Sequence, residues 1–139
     1  MAHLRTLAIL SVIACLAFFA VENTKPVDLI VTGHSDTWVD HYANITLNLV
    51  PRNNKIKLKQ DSPLRLKITV SDNLSTAYPV ITASKKNFVD NAASFNILVR
   101  GKKEGQGLVS VRVTYFLCSD VSCERFEDVI DHSIYVKKK

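Results

Sequence analysis

Cysteine, methionine and tryptophan are scarce in this chain, with three, one and one copies among 139 residues. Each shortage excludes something. Beyond the N-terminal stretch the only cysteines are Cys118 and Cys123, and the single tryptophan, Trp38, lies far upstream of both. A cystine that joins two distant strands across the core and packs on a tryptophan is therefore excluded. Met1 is the only methionine, which removes a copper centre that relies on a methionine ligand. No nucleophile elbow supports a Ser/His/Asp hydrolase. No basic run is interleaved with aromatic residues, as single-strand nucleic-acid binding requires, so no nucleic-acid partner is expected. No convincing helical pattern follows residue 20, and there are no repeats, low-complexity segments or internal linkers.

What is present is ordinary globular composition. Hydrophobic residues make up 47% and charged residues 22%, so disorder is not indicated, and the length suits one domain with one core. The formal net charge is +5, carried mostly on the polar sides of strands, as at Arg65, Lys67 and Arg112, and in loops and the tail.

Residues 1–20 read as an export signal. His3 and Arg5 precede an apolar run from Leu7 to Ala20 that is short for a membrane span. Cleavage after Ala17 would place Cys15 at the small-residue position. Val12 to Cys15 also resembles a bacterial lipobox, with Cys15 as the lipidated residue. A cleaved leader, a lipidated leader and a retained anchor all remain open. Any membrane contact is expected only through this segment. Export, most simply to the periplasm, places the remaining two cysteines where disulfides persist.

Past the leader the sequence predicts seven or eight short strands at intervals of roughly 8–12 residues. Residues 27–32 can form a strand, followed by a turn over 33–36. Strands are expected over 44–50, 55–59, 64–70, 79–83 and 94–99, with turn signals at Pro51, Asn53, Pro63 and Asn73 between them. The expectation is an all-β, antiparallel β-sandwich, one domain over 27–139.

The stretch from Leu108 to Val136 dominates this reading. Val109, Val111, Val113, Tyr115 and Leu117 alternate with polar or smaller residues, the period of a half-buried strand. Four residues separate Cys118 from Cys123, a normal hairpin loop, with the returning strand over about 128–136. Facing positions bring β-carbons to roughly 4.5–5.5 Å, close to disulfide geometry. A cystine at the hairpin tip is therefore expected. Closing so short a ring contributes about 2 kcal/mol by loop entropy, and less where the hairpin already closes it. So weak a staple, at an edge beside a loop, is a candidate for thiol–disulfide chemistry, because exposed disulfides tend to be the labile ones. The other reading is an inert cystine that pins the loop of a binding or assembly module. Arg125 would favour a thiolate at Cys123, whereas Asp120, Glu124, Glu127 and Asp128 would oppose it. Phe116 and Phe126 are candidates to shield the sulfurs.

His34, His41 and His132 lack metal-ligand spacing, so no metal or cofactor is expected. Asn44-Ile45-Thr46 and Asn73-Leu74-Ser75 match glycosylation acceptors, which matter only in a eukaryotic secretory pathway.

The segment from Gly107 to Cys118, the short loop, Cys123, and the closing residues His132 to Val136 resemble the end of the DsbD N-terminal (alpha) domain. They also resemble the related domain that ends some NHL-repeat, thioredoxin-containing proteins. The earlier Lys55–Lys59 and Ser62–Val70 segments fit the same strand, turn and long-strand pattern. The resemblance covers about residues 44–136 and implies an immunoglobulin-like fold. It also implies that Cys118 and Cys123 are a redox pair exchanging electrons with a thioredoxin-like partner in the periplasm, Cys123 forming the mixed disulfide. The loop here is one residue shorter than in typical members, and Glu124-Arg125-Phe126 replaces a proline-rich segment. No membrane electron-transfer or thioredoxin domain accompanies it on this chain, so the partner is expected to be separate.

Overall fold

Alternation in the sequence becomes two-sidedness in space. The computed structural model describes residues 25–61 and 64–139. The leader, with Cys15, lies outside the described residues. The strands are β1 (Val27–Gly33), β2 (Asp36–Trp38), β3 (Tyr42–Pro51), β4 (Lys57–Leu58), β5 (Arg65–Val70) and β6 (Leu74–Thr76). They continue with β7 (Val80–Thr82), β8 (Phe88–Val89), β9 (Ala92–Gly101), β10 (Gly105–Cys118) and β11 (Cys123–Lys137). One 3-10 turn, Lys85–Asn87, interrupts them, and no helix among the described residues is long and apolar enough to cross a membrane.

One sheet has the order β1-β3-β9-β6, with β8 also on β9. The other has the order β2-β11-β10-β5-β7, with β4 also on β10. Their inner faces meet in one core. Ala43, Ile45, Leu47 and Leu49 of β3 and Ala93, Phe95, Ile97 and Val99 of β9 face Leu66 and Ile68 of β5, the alternate residues Val109 to Leu117 of β10, and Ile134 and Val136 of β11. Burying these side chains out of water, at about 25 cal/mol per Å² of apolar surface, is what holds the layers together.

The N-terminal segment belongs to both sheets. β1 runs antiparallel to β3, and β2 then pairs in parallel with the end of β11, matching Tyr135 with Asp36 and Lys137 with Trp38. Gly33 makes the crossing possible. Its φ of +124° and a β-carbon position 2.4 Å from the Asn44 carbonyl oxygen leave room for no side chain. His34 and His132 clasp the crossing. His34 Nδ1 accepts from the Asn44 N–H at 3.0 Å, and His132 Nε2 donates to the His34 carbonyl at 2.9 Å.

The strand expected over 55–59 shrinks to two residues. The Ile56 N–H bonds to the Asn53 carbonyl at 3.2 Å and the Lys55 N–H to Asn53 Oδ1 at 2.9 Å, so a turn consumes its first half. β6 and β8 were not expected, because two or three residues are too few to show a period. The returning strand of the long hairpin begins at Cys123, well before residue 128, because the β10–β11 ladder is continuous to its tip.

Candidate functional site

The hairpin tip is built by register. Leu117 pairs with Glu124 and Cys118 with Cys123, and the Ser119 N–H donates to the Ser122 carbonyl at 2.8 Å to close the turn. In an antiparallel ladder hydrogen-bonded and non-hydrogen-bonded pairs alternate. The closing bond at Ser119 and Ser122 makes Cys118 and Cys123 the non-hydrogen-bonded pair next to it, where side chains come closest. Their α-carbons are 4.0 Å apart and the two sulfurs are bonded, as expected from the spacing. Ser119 Oγ accepts from the N–H groups of Val121 and Ser122, each at 3.3 Å, which holds the loop in shape while Val121 points into solvent.

The two sulfurs have different surroundings. Cys118 ends the central strand and is half-buried between neighbours on both sides: Cys123 on β11 and Lys57 on β4. Cys123 is exposed, on a strand whose other side pairs with no strand among the described residues until β2 joins it at Tyr135. β4 is held at this end by one side chain. Asn91 Nδ2 donates to the Ile56 carbonyl at 2.7 Å while Asn91 Oδ1 accepts from the Leu58 N–H at 3.0 Å. Asn91 and Lys57 had no signal in the sequence, because their place beside the cystine arises from a pairing across some sixty positions of chain.

Because Leu117 and Tyr115 point into the core, the cystine, Phe116 and Arg125 project from the opposite, outer face of the sheet. Phe116 is thus on the sulfurs' side. Phe126 is not, and its expected role as a shield fails: it stacks on Tyr115 with ring centroids 5.7 Å apart, on the core side. Arg125 is exposed and pairs with Glu127 at 3.3 Å, and Arg112 reaches the same carboxylate at 3.5 Å. Such exposed pairs contribute little to stability. On the core side a shallow groove beside the tip is lined by Pro26, Ile56, Leu117, Ser119, Ser122, Glu124 and Phe126. Below it the Tyr115 hydroxyl donates to Asp128 Oδ2 at 2.6 Å, and Lys25 Nζ lies 3.4 Å from Asp128 Oδ1. Burial, then the Asp128 carboxylate, pushes the Tyr115 hydroxyl well above the usual tyrosine range.

No family model matches this chain. No curated protein matches it in sequence. Solved structures do resemble it. The native conformation of Escherichia coli alpha-2-macroglobulin superposes with a TM-score of 0.56 at 15% identity, over 81% of this chain and 7% of that one. A crystal structure of the same protein, from domain MG7 to its C-terminus, gives a TM-score of 0.51 at 13% identity, over 80% of this chain and 17% of that one. A cohesin module from a Clostridium perfringens family 33 glycoside hydrolase gives 0.47 at 11% identity, over 84% of this chain and all of that one. This chain therefore spans less than a fifth of the macroglobulin chains it resembles. The fold is an immunoglobulin-like antiparallel β-sandwich.

Proposed function

We propose that Cys118 and Cys123 form the redox pair of an exported thiol–disulfide exchange module, whose partner is a thioredoxin-like protein in the periplasm. The observation that carries this reading is the asymmetry of the cystine: one sulfur exposed on an open-sided strand, the other half-buried between two strands. Exchange needs that division of labour. A partner thiolate attacks Cys123 Sγ, a mixed disulfide forms, and Cys118 leaves as a thiolate. The partner's second thiol then attacks the mixed disulfide and releases Cys123. Two electrons pass from the partner's dithiol to this cystine, and the same steps reversed carry them outward. Arg125, two residues along the same face, favours the thiolate of Cys123. The resemblance of this hairpin to the DsbD N-terminal (alpha) domain family agrees with the assignment of Cys123 as the attacked sulfur.

The test is a non-reducing gel of Cys118→Ser and Cys123→Ser chains, each expressed with its native leader, with trapped bands identified by mass spectrometry. Cys118→Ser is expected to accumulate mixed disulfides through Cys123, and Cys123→Ser to trap few. If neither captures a thioredoxin-like protein and both fold normally, the cystine is a pin for the loop of a binding module. A reduction potential below about −300 mV would point the same way.

A further inference from the structure

The cystine shares its sheet face with a row of cations that the sequence scatters over two segments. Lys57 pairs with Cys118, and the Lys59 N–H donates to the Phe116 carbonyl at 3.0 Å. Arg65 then pairs with Thr114 and Lys67 with Arg112. Leu58, Leu66 and Ile68 point into the core, so the four cations project outward along one side of β10 at two-residue intervals. That is a spacing of roughly 7 Å over about 20 Å. Arg112 and Arg125 lie on the same face, against the acids Glu127 and Asp131, so six cations less two anions leave +4 of the chain's formal +5 on one surface. Glu127 is already engaged by both arginines, whereas none of the four cations in the row has an ion-pair partner among the described residues. At the end of the row the hydroxyl-bearing Thr69 and Ser110 join Lys67 and Arg112 around a shallow polar depression.

We propose that this face docks an extended acidic segment of a partner protein, with carboxylates at alternate positions. Alternate side chains of an extended strand repeat every 6.8 Å or so, the interval at which the cations stand. Electrostatic complementarity of this kind sets orientation and encounter rate. A bilayer surface fits less well: interfacial tryptophan and tyrosine belong with such docking, and the exposed Trp38 and Tyr42 lie at the other end of the molecule, with Tyr78 alone beside the Lys67 end of the row among the described residues. Single-stranded nucleic acid would need a series of stacking aromatics, whereas among the described residues Phe116 and the exposed Tyr78 stand at opposite ends of the row. The proposal stands whether or not the cystine exchanges.

The experiment is fluorescence anisotropy with a labelled synthetic peptide of alternating glutamate and threonine, run beside its glutamine counterpart. Phosphatidylglycerol-containing vesicles and an oligothymidylate are compared with it. Saturable binding of the glutamate peptide alone is expected, weakened about tenfold between low and physiological salt. Arg65→Glu with Lys67→Glu should abolish it, and Arg65→Gln with Lys67→Gln should weaken it, which keeps the test valid should the reversal misfold. Lys102→Glu with Lys103→Glu, at the far end of β10, should leave it unchanged. The proposal is overturned if the glutamate peptide fails to bind, if the Arg65 and Lys67 variants bind as well as wild type, or if vesicles or oligothymidylate bind more tightly.

Discussion

The Tyr115 hydroxyl reaches Asp128 Oδ2 at 2.6 Å from inside the core, while its ring stacks on Phe126, its direct neighbour across the ladder. A charged residue pointing inward near an open strand edge discourages pairing with a foreign strand, and Tyr115 and Lys25 satisfy it. Tyr115→Phe removes a hydrogen bond to a charged acceptor while keeping the ring. Urea unfolding should register a loss of about 1–3 kcal/mol.

The same pair gives a signed pH dependence. The folded-state pKa of Tyr115 lies above its unfolded value, so the folded protein keeps a proton that the unfolded chain releases in alkali. This contribution is complete below about pH 10, the ordinary tyrosine value, and is lost as pH rises from there toward the folded-state value. Unfolding curves at mildly and strongly alkaline pH should show a smaller decline for Tyr115→Phe than for the wild type. An equal decline in both would show that other groups carry the alkaline loss.

Reducing the cystine should leave the fold intact. The β10–β11 ladder runs unbroken from Gly105 to Cys118 and already closes the loop. The expected loss is about 2 kcal/mol or less. Urea midpoints with and without a phosphine reductant measure it. A collapse of the folded baseline on reduction would mean that the bond holds far more than its own loop.

Asn91→Ala should release β4 locally. The side chain makes two backbone hydrogen bonds, at 2.7 and 3.0 Å, to a strand only two residues long. Amide hydrogen exchange should quicken at residues 56–59 while the core of β3 and β9 stays protected. Uniform protection across both regions would show that pairing with β10 suffices to hold β4.

Gly101→Ala should destabilise by about 1–3 kcal/mol through crowding. A β-carbon there would lie 2.7 Å from the Trp38 carbonyl oxygen and 2.9 Å from Val136 Cγ1, and the first of these is backbone that cannot rotate away. The loss should appear as faster hydrogen exchange in β2, the short strand pressed against that site.

Most of the fold was legible because its long strands alternate strictly: the five β10 residues assigned to the core from sequence are all buried. The cystine was legible for a local reason, a hairpin loop of normal length. What escaped was non-local or too short to have a period. Leu74 is buried through a three-residue strand that pairs with β9, and Lys57 meets Cys118 through a two-residue strand that Asn91 also binds. Phe126 is only three residues from Cys123 on the same hairpin, which makes it a candidate shield on the sulfurs' side in the sequence. Cross-strand pairing with Tyr115 puts it on the other side.

The parallel pairing of β2 with the end of β11 also decides how the domain carries load. It fastens the first part of the described chain to the last through Ser35–Tyr135 and Lys137–Val39 backbone bonds of 2.9 and 3.0 Å, with three matched residue pairs between them. Tension applied between His34 and Lys139 pulls these two strands past one another lengthwise, so the bonds share the force and must break together. Had the strands run antiparallel at this seam, the same pull would open them one bond at a time, like a peeled strip.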